Sequence, residues 1–116
     1  MIGARFRLQG RDPATGLDCV GLVLRAHGLP DGAAPRDYGW RTNEGAVVPF
    51  LSACFRRRDG AWGAGDVILA KLPRGRLHLA IWTGDGLIHA DAGLGCICER
   101  PGLPPWPVID AWCARD

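Results

Sequence analysis

Tyrosine and methionine occur once each in this sequence, and no apolar run approaches the roughly 20 residues that a membrane-spanning helix needs. Membrane insertion is therefore not expected. Met1-Ile2-Gly3-Ala4-Arg5-Phe6-Arg7 carries basic residues with no apolar stretch behind them, so the layout of a secretory signal is missing and synthesis is expected to end in the cytoplasm. An excess of one charge is absent too, since 14 Lys and Arg face 12 Asp and Glu for a net +2. The densest basic cluster, Arg56-Arg57-Arg58, reads as a solvated helix end, where cations suit the dipole, and nucleic acid is not expected as a partner. Five cysteines form an odd count without framework spacing, which suits a reducing compartment. Cys96-x-Cys98 lacks a second close pair of ligands and is a weak zinc signal. In an alternating strand both thiols would share a face and behave as small buried hydrophobes, so neither a metal nor another cofactor is expected.

What is present describes an ordinary globular chain of 116 residues, 47% hydrophobic, with five tryptophans, long enough for one domain over 1–116. Asp18 sits where an N-cap belongs for a helix from Cys19 to about His27, which Gly28-Leu29-Pro30 stops. Residues 31–41 are a loop by composition. Thr42 can cap a second helix with an apolar stripe at Val47, Val48, Leu51, Cys54 and Phe55. Pro49 is expected to shift the start of that helix toward Val48, and Asp59-Gly60 to end it. The rest reads as strands at 66–72, 77–83, 87–90, 96–99 and 108–113, separated by Gly, Pro and Asp turns. Helices first and strands afterwards predict an α+β fold with an antiparallel sheet.

Two segments carry the chemistry. Gly16-Leu17-Asp18-Cys19-Val20-Gly21-Leu22-Val23 puts a cysteine in the first turn of a helix, where orphan amides and the positive dipole end favour thiolate. Beside a protonated imidazole such a thiol is a nucleophile at neutral pH, and the same amides can hold an oxyanion. The competing reading, a core cysteine, fits poorly with small or polar neighbours at Gly16, Asp18 and Gly21.

The second segment runs from Leu77 to Ala90 and reads as a hairpin with two histidines. Strand parity sets His78, Ala80 and Trp82 on one face and Leu77, Leu79 and Ile81 on the other, the core face. A two-residue loop at Gly84-Asp85 would pair Ala80 with His89, and one at Asp85-Gly86 would pair Trp82 with His89. Both put His89 on the face of His78, whereas a three-residue loop would throw it to the other. Histidines so placed fit a general base and the group that orients it. They fit a metal only with a third donor such as Cys19 or Asp91, and two surface histidines without a joint role are the plain alternative. His27, at a helix end, is given no catalytic role.

The motifs G-R-x-P-x-x-G-x-D-C-x-G-L-V from Gly10 to Val23, G-D-V from Gly65 to Val67, and H-L-A-I-W-T-G-D-G-L-I-H-A from His78 to Ala90 together resemble the NlpC-type papain-like cysteine peptidases. They are most similar to short members encoded with phage tails and gene transfer agents. The resemblance implies a papain-like core, a helix bearing the cysteine at its N-terminus packed on an antiparallel sheet that supplies the base. It further implies Cys19 as nucleophile, His78 as general base and then acid, and His89 as the orienting group. Phe6, Asp18 and Trp82 are expected at the substrate-binding surface. The implied reaction is hydrolysis of an amide in peptidoglycan stem peptides, typically between D-glutamate and diaminopimelate, through a thioester, at the cell wall as part of a phage-like particle.

The chain departs from that pattern in three places. Val20 replaces the usual serine after the cysteine, a position not needed for proton transfer. Phe6 stands where a tyrosine hydroxyl commonly reaches the site, so one oxyanion donor is expected to be missing, with Tyr38 the available substitute. The N-terminus is shorter than usual, which implies a covering partner, either a tail protein or a second copy. Alternatives to the peptidase are a tail-assembly or binding module of the same fold with weak turnover, and a thiol amidase or acyltransferase using the same triad.

Overall fold

A computed structural model describes residues 2–34, 44–73 and 76–115. Tyr38 and Thr42, singled out above, lie outside the described residues. A small ladder of β1 (Arg11–Asp12) and β2 (Gly16–Leu17) precedes helix α1 (Cys19–Ala26). A 3-10 turn follows at Asp31–Ala33, then helix α2 (Glu44–Cys54). The strands β3 (Phe55–Arg57), β4 (Val67–Lys71), β5 (Leu77–Trp82), β6 (Gly86–Asp91), β7 (Cys96–Pro101) and β8 (Val108–Ala114) form one antiparallel sheet in the order β3-β8-β4-β5-β6-β7. No helix among the described residues is long and apolar enough to cross a membrane.

Helix α1 starts and stops where the sequence predicts. The Asp18 side chain accepts the Gly21 amide at 2.9 Å, an N-cap bond. At the other end the Leu29 amide reaches the Leu24 carbonyl at 2.9 Å and the Gly28 amide the Arg25 carbonyl at 3.4 Å, the two bonds of a Schellman turn. His27, the C-cap, also donates Nε2–H to the Gly65 carbonyl at 2.8 Å and packs edge-on against Phe55. The buried side of α1, with Val20, Val23 and Leu24, meets Val67, Leu69, Leu79 and Ile97 in the main core.

Helix α2 corrects two expectations. It begins at Glu44 with Pro49 inside it, because burial of Val47, Phe50 and Leu51 outweighs the missing proline N–H. It also ends at Cys54, and the chain turns straight into β3, so Arg56-Arg57-Arg58 is not a helix end. Phe55 fits a helical stripe or a strand equally well, and pairing of Phe55 with Ala114 and Arg57 with Trp112 decides for the strand. The arginines serve as structural cations: Arg57 meets Asp110 at 2.6 Å, and Arg58 forks onto the buried Asp66 at 2.8 and 3.2 Å. The five strands predicted from sequence are present within two residues at each end, while β1, β2 and β3 were not predicted.

Candidate active site

The hairpin joining β5 and β6 turns on Gly84-Asp85. The Thr83 amide donates to the Gly86 carbonyl at 2.9 Å, the Gly86 amide to Thr83 Oγ1 at 3.0 Å, and Gly84 takes the positive φ of 108° that only glycine adopts freely. Ala80 consequently faces His89, the first of the two registers considered. Leu77, Leu79 and Ile81 join the main core, and Ala80 and Trp82 join a smaller cluster with Ile68, Leu87 and Ala111. His78 and His89 are then diagonal neighbours, and they meet: His78 Nε2 lies 3.0 Å from His89 Nδ1. Trp106 packs edge-on against both rings, at 4.9 and 5.2 Å between centroids, so each imidazole is wedged as well as hydrogen-bonded.

Cys19 comes to the histidines from the N-terminus of α1. All three side chains line one cavity of about 320 Å³, together with Phe6, Asp18, Arg76, Asp91, Arg100 and Trp106. The amides of Leu79, Val20 and Cys19 approach the Cys19 sulfur. Among the described residues no hydrogen bond joins the thiol to either imidazole; the histidine pair is formed and the thiol stands across from it.

The electrostatics reverse one expectation. The helix-start context predicts an acidified thiol, yet Cys19 is pushed up to about 12, first by burial and then by the adjacent Asp18 charge, which together outweigh the three amides. His78 is lowered to about 4 by burial, with His89 and Arg76 adding to the effect and Asp91 opposing it. His89 is lowered as well, chiefly by burial. The resting site is therefore a neutral thiol and neutral imidazoles rather than a preformed ion pair.

The remaining residues named from sequence divide. Phe6 presents an apolar ring to the cavity. Asp18 reaches the cavity wall, but its oxygens are committed to the Gly21 amide, to the Gln9 amide at 2.7 Å and to Arg11 Nη1 at 3.2 Å. Trp82 does not line the cavity; it is 8% exposed and packs edge-on against Trp62 at 5.4 Å. Cys96 and Cys98 do share a face, but both are half-exposed rather than buried, and Cys98 Sγ lies 3.8 Å from His89 Nε2. Arg76, Arg100 and Trp106 were not singled out from sequence. Trp106 had a visible signal, an aromatic held between Pro105 and Pro107 just before a strand.

No family model matches the sequence, and no curated protein matches it. Among solved structures the chain is similar to the NlpC/p60 domain of the peptidoglycan hydrolase SagA, with a TM-score of 0.62, 27% sequence identity, and coverage of 97% of this chain and 88% of that one. Helix α1 bearing Cys19, set on an antiparallel sheet bearing both histidines, is thus the papain-like α+β arrangement of NlpC/p60 domains.

Proposed function

We propose that the protein is a cysteine peptidase that hydrolyses the D-glutamate to diaminopimelate amide of peptidoglycan stem peptides through a thioester. The observation that carries this is the His78 Nε2 to His89 Nδ1 hydrogen bond in the cavity that Cys19 also lines. The likeness to a peptidoglycan hydrolase domain supports the substrate class, and the Arg76 and Arg100 guanidiniums on the cavity wall suit a carboxylate-rich peptide. Action within a phage-like particle rests on the sequence resemblance alone.

With Nε2 of His78 engaged by His89, Nδ1 is the nitrogen left for the thiol. Substrate entry expels water, and the Cys19 proton passes to Nδ1 as sulfur attacks the carbonyl carbon, so both charges arise together and offset each other's burial. His78 Nε2–H donates to His89 Nδ1, which orients the ring and steadies its positive charge. The amides around the Cys19 sulfur donate hydrogen bonds to the oxyanion. Nδ1–H then protonates the leaving amine, the carbonyl re-forms as a thioester, and water deprotonated by His78 releases the acid and the thiol.

One observation favours a second reading, a module of this fold with little turnover: the thiol rests at about 12 and makes no bond to His78. Incubation with purified muropeptides separates the two by new amine ends. Cleavage by the native chain that is lost in Cys19→Ala and His78→Ala supports the peptidase. Cleavage surviving in Cys19→Ala overturns the mechanism, no cleavage favours the binding module, and turnover confined to other acyl donors indicates an amidase or acyltransferase.

A further inference from the structure

The β6–β7 ladder brings metal-type donors to the outer side of the histidine pair. His89 faces Cys98, and Asp91 faces Cys96. Residues directly opposite in an antiparallel ladder project to one face, so these side chains share the side on which His89 meets His78. The ligating atoms of His89, Asp91 and Cys98 all lie within 4.8 Å of one another. The Asp91 carboxylate is held in place by accepting the Leu94 amide at 3.0 Å, and its carbonyl accepts the Gly95 amide at 2.8 Å. Cys98 is half-exposed, which leaves an entry path.

We propose that His89 Nε2, Cys98 Sγ and the Asp91 carboxylate form a site for a borderline-soft divalent ion such as Zn²⁺, and that filling it switches off the Cys19 chemistry. Imidazole, thiolate and carboxylate are the zinc donor set, whereas Mg²⁺ and Ca²⁺ take oxygens alone. Tetrahedral zinc with ordinary bond lengths has a sulfur to nitrogen edge of about 3.6 Å. The observed 3.8 Å between Cys98 Sγ and His89 Nε2 closes to that by small side-chain rotations. Water completes the fourth position, and Cys98 gives its thiol proton to solvent on coordination. A ligating histidine ordinarily has its other ring nitrogen fixed by a hydrogen bond, and here His78 supplies it.

The switch follows from that shared bond and rests on the function proposed above. For His78 to take the thiol proton on Nδ1, its own proton must sit on Nε2 and be given to a lone pair on His89 Nδ1. The His89 proton is then on Nε2. A metal on His89 Nε2 forces that proton to Nδ1, which now donates to His78 Nε2. His78 in turn carries its proton on Nδ1 and has no lone pair for the thiol. The two hydrogen-bond directions exclude each other, so the site is either metal-loaded or competent for proton transfer.

Titration of the full-length protein with Co²⁺ reads the site without reference to activity. The expected result is one tight equivalent with a near-ultraviolet thiolate charge-transfer band, displaced by Zn²⁺, retained in Cys19→Ala and lost in Cys98→Ser. Asp91→Asn, which spares both the thiol and the histidines, should keep the band but weaken binding by tenfold or more. A band lost in Cys19→Ala, or kept in Cys98→Ser, overturns the site. Muropeptide cleavage reads the switch: one equivalent of Zn²⁺ should abolish it, and Asp91→Asn should need at least tenfold more. Cleavage unaffected by a bound equivalent overturns the switch, while a native chain that cleaves nothing in the presence of chelator is a failure of the peptidase proposal and leaves the cobalt result standing on its own.

Discussion

Replacing Asp18 with asparagine separates two effects that the carboxylate combines. Its oxygens accept the amides of Gly21 and Gln9 and face Arg11 Nη1 at 3.2 Å, with Asp18 2% and Arg11 6% exposed. Asparagine caps a helix as well as aspartate does, so α1 keeps an acceptor at its start. What disappears is the negative charge facing a buried guanidinium, and removing one member of a buried pair costs about 3–5 kcal/mol. Against a domain stability of roughly 5–15 kcal/mol the variant should still fold, with a melting temperature lower by on the order of 10–25 °C. The Asp18 charge is also the second cause, after burial, of the raised Cys19 thiol, so the same variant should ionise Cys19 at lower pH. Urea unfolding at neutral pH measures the first effect, and iodoacetamide labelling of the Cys19 peptide across a pH series measures the second. A loss below about 1 kcal/mol, the range of an exposed pair, would refute the role given to the Arg11 pair. Labelling that is unchanged, or that moves to higher pH, would refute the electrostatic account of the thiol.

The buried neutral His78 makes stability fall in acid: between the unfolded value of 6.5 and the folded value of about 4 the unfolded chain binds a proton that the folded chain does not. The loss reaches about 3 kcal/mol at pH 4, with His89 adding in the same direction, and urea midpoints from pH 7 to 4 should show it; a flat profile would remove the case for buried neutral rings. For the same reason the acid limb of kcat/KM should lie near 4, and a limb near 6.5 would contradict a neutral resting pair. Gly21→Ala would drive a methyl group into the Gly10 carbonyl oxygen and push α1 off the β1–β2 ladder, at a cost of about 1–3 kcal/mol or more in thermal melts. His89→Ala should lower kcat far more than it raises KM, and leave more activity than His78→Ala, because in the proposed mechanism it removes orientation and not the proton acceptor.

Where each structural decision depends on neighbouring residues, the sequence was legible. Asp18, Cys19 and Gly28 mark both ends of α1 through capping chemistry, and Gly84-Asp85 sets the β5–β6 register through turn chemistry. The errors fall where distant packing decides. Phe55 continues a helical stripe until β8 offers it a strand partner, and Pro49 belongs in no helix until Val47 and Leu51 are buried. The β1–β2 ladder is only two residues per strand, too short for an alternation pattern to register.

The site divides along the same line. Parity along one hairpin is enough to put His78 and His89 on one face, because both lie within a dozen residues and a single turn relates them. The neutral state of the thiol cannot be read that way: it comes from burial in the folded chain together with the Asp18 charge, which the neighbouring amides do not overcome. Cys98 illustrates the intermediate case. Its pairing with His89 needs the register of β7 as well as that of β6, one turn further than the hairpin supplies, and with that register the C-x-C motif ceases to be a stray pair of small hydrophobes and becomes the outer neighbour of His89, the ring that meets His78.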